Sequence, residues 1–506
     1  MKTSAGRRII LILCILVFLP LWAASAEGLR FSMAGFDGDE SSHDWETNAF
    51  FSRMEARTGI GFTFDQYTDY AKWQAAKESM FREGPLPDVL FKAALTTQEL
   101  LAYTDSGQII DLRPLLEENA PQLWALLQSH PDWLAAITLP NGKIGALLGI
   151  HTLPAQNAMW INQRWLERVN LPMPGDAQSL KAALRAFLES DPNQNGKRDE
   201  IPFGFLGVWD LKFFSHAFGA VVNDYNIYLD EGGQVRFWPL EDGFFAMLGY
   251  LRELQSEKLL DPNGFYLSDA MRSSTEKDAP AIYGAFFGPN PLLLMTYERA
   301  KEYVLLPPLA YEGKQAYREL GAEITRGTFA ITSACSDPAA LLRWVDVLYT
   351  AEGAVEAMAG TEGIDYILGE DGRWQFAADL TNLGASALNE LSVYDSGSMP
   401  WLFPLEFYNR FAEDGVININ SELEKLTASL QKPFPDFQFT QEQGEEVLPL
   451  QNDLGKYVDE AFARFVLGQW ELSPQAVAEF RQGLLERGAE KMIAFWQRMA
   501  ATPAQP

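Results

Sequence analysis

The chain has 506 residues but only two cysteines, Cys14 and Cys335, and four histidines. Cys14 falls in an apolar leader and follows Leu13 rather than a small residue, so a lipid anchor is not expected there. Beyond the leader Cys335 stands alone, and no intrachain disulfide is available to hold the fold. His43, His130, His151 and His216 show no H-E-x-x-H or comparable spacing, which excludes that class of metalloenzyme site. The sequence also has no Gly-x-Ser-x-Gly elbow, no Walker loop and no dinucleotide fingerprint. Positive charge is scarce: 40 Lys and Arg against 68 Asp and Glu give a net charge of −28. That is a poor surface for nucleic acid or anionic lipid. No stretch after the leader approaches the ~20 apolar residues of a spanning helix. Internal repeats and low-complexity tracts are missing too.

Residues 1–26 read as a secretory signal, with Lys2, Arg7 and Arg8 ahead of the apolar run Ile9 to Trp22. Ala24-Ser25-Ala26 is the expected cleavage site. Removal would leave 480 residues carrying 37 basic and 68 acidic side chains, a charge of −31. At 47% hydrophobic, such a chain holds itself by core packing across two or three domains.

The most specific motif is Asp191-Pro192-Asn193-Gln194-Asn195-Gly196-Lys197-Arg198-Asp199-Glu200. It reads D-x-N-x-N-G-x-x-D-E, the opening of a calcium loop. Asp191, Asn193 and Asn195 offer side-chain oxygens at alternating positions, Gly196 allows the sharp turn, and Lys197 stands where a backbone carbonyl serves. Position twelve is Pro202, so Glu200 with Asp199 must close the shell in place of the usual glutamate. The spacing predicts a helix over 176–190 leading in, while Ile201-Pro202 bars a helix leading out. A structural Ca2+ is the expected cofactor. An oxygen-saturated shell leaves no open position for catalysis.

Strand and helix alternate from the start: a strand over 29–36, a helix near 45–58, a strand over 61–65, a helix over 70–82, and a short strand over 87–91. This is the pattern of a wound parallel sheet. Ligands of such sheets sit beyond the carboxyl ends of the strands. A second lobe is expected from Ala158 onward, with helices near 209–218 and 240–258. Strand 328–332 and helix 338–350 read as a return to the first lobe, and Gln475 to Ala500 as the last long helix.

With Gly142-Lys143-Ile144, Trp160-Ile161-Asn162-Gln163-Arg164-Trp165-Leu166, the calcium loop ending Ile201-Pro202-Phe203, Gly327-Thr328-Phe329-Ala330-Ile331-Thr332 and Arg343-Trp344-Val345-Asp346 in this order, the chain resembles the extracellular (family 1) solute-binding proteins of ABC transporters. The likeness is to the carbohydrate-binding group, and the loop is similar to that of the oligo- and polysaccharide binders such as the alginate-binding ones. The resemblance implies an α/β, two-lobed periplasmic-binding-protein fold (type II-like), each lobe a mixed or parallel sheet flanked by helices. It implies a cleft that closes on ligand and no catalysis. The implied partners are a carbohydrate and the membrane permease of an ABC importer, for a monomer free in the periplasm. The expected lobes are 27–150 with 325–385, and 151–324 with 386–506.

A sugar cleft needs aromatic plates and a polar rim. Candidates beyond the first-lobe strands are Phe36, Asp37, Trp45, Tyr67, Tyr70 and Lys92. Second-lobe candidates are Trp209, Asp210, Phe287 and Asn290, and a flexible loop adds Tyr394, Asp395 and Trp401. Trp45, Trp209 and Trp401 are the expected stacking plates. Two other readings stay open: a secreted glycoside hydrolase with paired carboxylates, and a ligand-binding partner of a membrane sensor.

Overall fold

The computed structural model describes residues 28–39, 41–151, 157–265, 281–293, 295–321, 323–377, 390–394, 398–411, 414–432, 434 and 437–501. The expected signal segment lies outside them. Among the described residues no helix is long and apolar enough to cross a membrane.

Two sheets organise the chain. The first has five strands in the order Ile60–Tyr67, Leu29–Phe36, Val89–Phe91, Ile324–Ile331, Leu147–Ile150. Its first three strands are parallel, with Phe36 beside Tyr67 and Gly35 beside Phe91. The returning strand Ile324–Ile331 runs antiparallel to both its neighbours. Period-two alternation then splits the side chains between two faces. Phe31, Met33, Val89, Phe91, Phe329 and Ile331 enter one core; Ala34, Leu90 and Ala330 enter the other.

The connecting helices start where the sequence supplies a cap. Asn48 accepts from Phe50 N and opens Ala49–Thr58, which buries Phe50, Phe51 and Met54. Asp69 accepts from Lys72 N and opens Tyr70–Glu83. The first helix therefore begins four residues later than Trp45, because the cap sits at Asn48.

The second sheet has four strands in the order Tyr303–Leu305, Ala158–Asn162, Tyr283–Gly288, Ile201–Gly204. Met159, Ile161, Ala285 and Phe287 face a core shared with the C-terminal helices; Trp160 and Phe286 face the opposite side. Those helices are Gln441–Val466, Pro474–Glu486 and Ala489–Ala501. The single helix expected over 475–500 is thus two, broken at Gly488, whose φ of 90° lies in the left-handed region.

The architecture is the expected mixed α/β pair of lobes. One expected boundary shifts. Leu391, Val393, Met399, Trp401, Phe403 and Phe407 pack into the first-lobe core, not the second. Further along, Ile419, Leu423 and Leu426 pack with the second sheet. Phe403 is tied to the first sheet, its N–H donating to Ile150 O at 2.9 Å, so the short 399–407 segment extends that lobe.

Candidate functional site

The parallel register of the first sheet brings Phe36, Tyr67 and the Lys92 turn to one end. Asp37 follows Phe36, and its N–H donates to Tyr67 O at 2.8 Å. The Asp37 side chain is fully buried and pairs with Lys92, whose ammonium is equally buried and also donates to Val393 O at 2.9 Å. Gln66 Nε2 and Ser41 Oγ donate to Asp37 Oδ2 at 3.0 and 2.8 Å, and His43 Nδ1 lies 2.9 Å from it. Burial pushes the Asp37 carboxyl up, but the His43 hydrogen bond and the Lys92 ammonium outweigh it and hold the carboxyl below its ordinary range. The expected ligand role of Asp37 and Lys92 is therefore corrected. They satisfy one another and brace the strand ends from inside.

Trp45 is corrected as well. It has no exposed surface and sits edge-on against Phe64 and Phe91, with ring centroids 5.9 and 5.5 Å away. Trp401 is also fully buried, packed on Tyr394 and Phe403. Neither ring has a face left for a sugar. Phe287 is a core residue against Phe203, Phe213 and Phe214. Asn290 turns its Oδ1 to Leu292 N, a local loop bond. Phe36 and Tyr70 meet edge to face at 5.5 Å, and Tyr67 lies against Trp73. Tyr70 is exposed, and Tyr67 and Phe36 are half-buried. Asp395 lies outside the described residues.

Trp209 differs from all of these. It lies in the first turn of the short helix Val208–Lys212 after strand Ile201–Gly204, and 45% of its surface is exposed. Its ring stands perpendicular to Phe213 at 4.5 Å. It walls a cavity of about 420 Å³. Glu323 and Arg326, at the start of the returning first-sheet strand, form part of the rim, with Glu319 and Lys432 beside them. The cavity therefore lies where the second lobe faces the strand that crosses back into the first. Trp209 also walls a smaller adjoining cavity of about 160 Å³.

Next to Trp209 in the chain, Asp210 accepts from Asn157 Nδ2 and Leu206 N, both at 2.6 Å, and burial pushes its carboxyl up. It positions the Trp209 turn. Arg318 lies over the rings of Phe213 and Phe287 and pairs with Glu319 at 2.6 Å. His216 is buried and held neutral, its pKa lowered to about 3 chiefly by burial; its Nε2 accepts from Leu309 N at 3.2 Å. The lysines on the rim are matched by carboxylates. Lys212 pairs with Asp459. Lys432 reaches Asp132 at 2.8 Å and Glu323 at 3.0 Å. That bonding raises the Lys432 pKa and lowers that of Asp132.

Residues the sequence reading missed line the same space from far along the chain. Tyr225, Asn226, Phe434 and Trp496 line the larger cavity, and Gln451, Asp459 and Met492 the smaller. The only available signal was a glutamine on the otherwise apolar face of helix 441–466.

The predicted calcium loop folds as a tight turn after helix Ala177–Glu189. Asp191 accepts from Asn195 N and Gly196 N, Asn193 Oδ1 from Asn195 N, and Asn195 Oδ1 from Lys197 N. Gly196 takes the left-handed φ of 73° that the turn requires. The amide nitrogens of Asn193 and Asn195 both donate to Asp199 at 3.0 Å. Among the described residues no three His, Cys, Asp or Glu side chains converge on one point. Glu200, though, is buried with Oε1 lacking a hydrogen-bond partner among the described residues. Burial, together with the nearby Asp199 and Asp191 charges, raises its pKa. An orphaned buried carboxylate oxygen beside an all-oxygen donor set fits a hard cation.

No family model matches the chain. It is 28% identical over 345 residues to the fructooligosaccharide ABC transporter substrate-binding protein FusA of Streptococcus pneumoniae. That match covers 64% of this chain and about 62% of the length of that relative. Solved structures agree over nearly the whole length. FusA of S. pneumoniae in complex with kestose gives a TM-score of 0.76 at 22% identity, covering 93% of this chain and 98% of that one. An extracellular solute-binding protein of Bifidobacterium longum subsp. infantis gives 0.80 at 18% identity, covering 94% and 99%. Similar folds also include a FusA EF-hand mutant and the alginate-binding protein AlgQ2 without calcium ion. The chain has the two-lobed fold of the ABC-transporter solute-binding proteins that its motifs resemble.

Proposed function

We propose that this chain is the substrate-binding component of an ABC importer, and that it captures a neutral oligosaccharide between its two lobes and hands it to the permease. The observation that carries this reading is the half-exposed Trp209 ring at the wall of the cavity joining the lobes. An indole face matches the C–H face of a sugar, and the surrounding amides and ion pairs match its hydroxyl rim. The pairing of Lys212 and Lys432 with carboxylates favours a neutral ligand over a uronate. The curated relative, described as a fructooligosaccharide-binding protein, supports the same class of ligand.

The carrier reading is preferred to a hydrolase. A glycosidase needs two carboxylates free to act as acid and as base or nucleophile. At this cavity Glu319 is held by Arg318 and Glu323 by Lys432. The leader directs the chain to the periplasm, where it works as a monomer. Asp191, Asn193, Asn195, Asp199, Glu200 and the Lys197 carbonyl would hold a structural Ca2+, which stiffens the join between helix 177–189 and strand 201–204 and takes no part in ligand chemistry.

A thermal-shift screen against mono-, oligo- and polysaccharides, read beside a reducing-end assay, tests the proposal. Stabilisation by a neutral oligosaccharide without new reducing ends supports it. New reducing ends would make the protein an enzyme.

A further inference from the structure

Two residues on the C-terminal helices line the cavities and carry buried polar atoms with no hydrogen-bond partner among the described residues. Gln451, 4% exposed, has no hydrogen-bond partner for either its Nε2 or its Oε1 among the described residues. Trp496, 1% exposed, has none for Nε1. Gln451 lines the 160 Å³ cavity, and Trp496 lines the larger one. The two spaces share Trp209, Lys212, Asp224, Tyr225 and Asn226, so they adjoin. Leu454, Gly455 and Asp459 also line the smaller one, at helical spacing from Gln451. The helix thus turns one face to this cavity.

Leaving a buried amide unbonded is unfavourable, and native proteins keep few such groups without a reason. A primary amide offers a donor and an acceptor side by side, the complement of two adjacent hydroxyls on a sugar ring. We propose that the smaller cavity is a reading pocket for one neutral sugar unit of the ligand. In it the Gln451 amide binds a vicinal hydroxyl pair, Trp209 forms the wall, and Trp496 Nε1–H donates to the neighbouring unit. This inference rests on the carrier reading and adds the residues that decide which sugar is accepted. A pocket that hydrogen-bonds a hydroxyl pair rejects rings lacking it far more strongly than an apolar slot does.

The test is calorimetric titration of wild type, Gln451→Met and Trp496→Phe with the neutral trisaccharides kestose, maltotriose and cellotriose. Gln451→Met keeps the length of the side chain and removes both polar atoms, and melting curves of the sugar-free proteins check the fold. Should Gln451→Met fail to fold, Gln451→Leu takes its place. The expected result is a wild-type or higher melting temperature for the Gln451 variant with at least about tenfold weaker binding, and a smaller loss for Trp496→Phe. Wild-type affinity in both folded variants would overturn the reading pocket alone and assign the orphaned groups to trapped water. If none of the three binds, the titrant is a neutral oligosaccharide that stabilises wild type in the thermal-shift screen; failure of wild type to bind any sugar in that screen would overturn the carrier reading and this inference with it.

Discussion

Lys92 and Asp37 form an ion pair across neighbouring strand ends with neither side chain exposed to solvent. Removing one partner of such a pair leaves the other charge uncompensated, which costs about 3–5 kcal/mol. Lys92→Met is expected to destabilise the protein by that order in urea unfolding. The double variant Lys92→Met, Asp37→Asn should recover part of the loss, since no buried charge remains. Equal destabilisation of single and double variants would show that the two residues act separately.

The same pair sets an acid limit. The folded Asp37 pKa lies below its ordinary value of 3.8. Its contribution to stability is therefore fully present above about pH 4 and is lost as pH falls through the lower folded value. Unfolding free energy measured between pH 5 and pH 2.5 should fall more steeply in wild type than in Asp37→Asn. Parallel curves would contradict this.

Trp209 and Trp45 should separate binding from stability. Trp209→Ala is expected to weaken oligosaccharide binding at least tenfold while shifting the melting temperature little, because its ring is half exposed. Trp45→Ala removes a ring packed on Phe51, Phe64 and Phe91 and should cost about 3–5 kcal/mol of stability. The reverse pattern would place the sugar site at the first-lobe strand ends.

Calcium should stabilise the wild-type chain through the Asp191–Glu200 loop. At a hundredfold excess over its dissociation constant it would add about 2.7 kcal/mol. Chelation should lower the melting temperature, and Glu200→Gln with Asn193→Ala should abolish the response. An identical melting curve with and without chelator would remove the ion.

The legible parts of this chain were local ones. The alternation of strand and helix gave the first sheet, and the calcium-loop spacing gave the tight turn that Asp191, Gly196 and Asp199 form. Placement of Trp209 after its strand also located a cavity wall. Orientation was not legible. Trp45 and Trp209 both come soon after a strand, yet Trp45 folds under the sheet because Phe51, Phe64 and Phe91 gather around it. Nothing within a few residues of Trp45 encodes that box, since its walls come from three separate elements. Gln451 and Trp496 reach the site only through packing of helices far along the chain. The boundary at 386 failed for a related reason: Val393, Trp401 and Phe403 read equally well as part of either core, and the bond of Phe403 to Ile150 decides it.

The most direct measurement is titration of the purified wild-type chain with a neutral oligosaccharide from the thermal-shift screen, followed by mass analysis of the recovered sugar. One saturable site per chain, abolished or strongly weakened in Trp209→Ala, with the sugar recovered intact, is the predicted result. Cleaved sugar, or full-strength binding without the Trp209 ring, would contradict it.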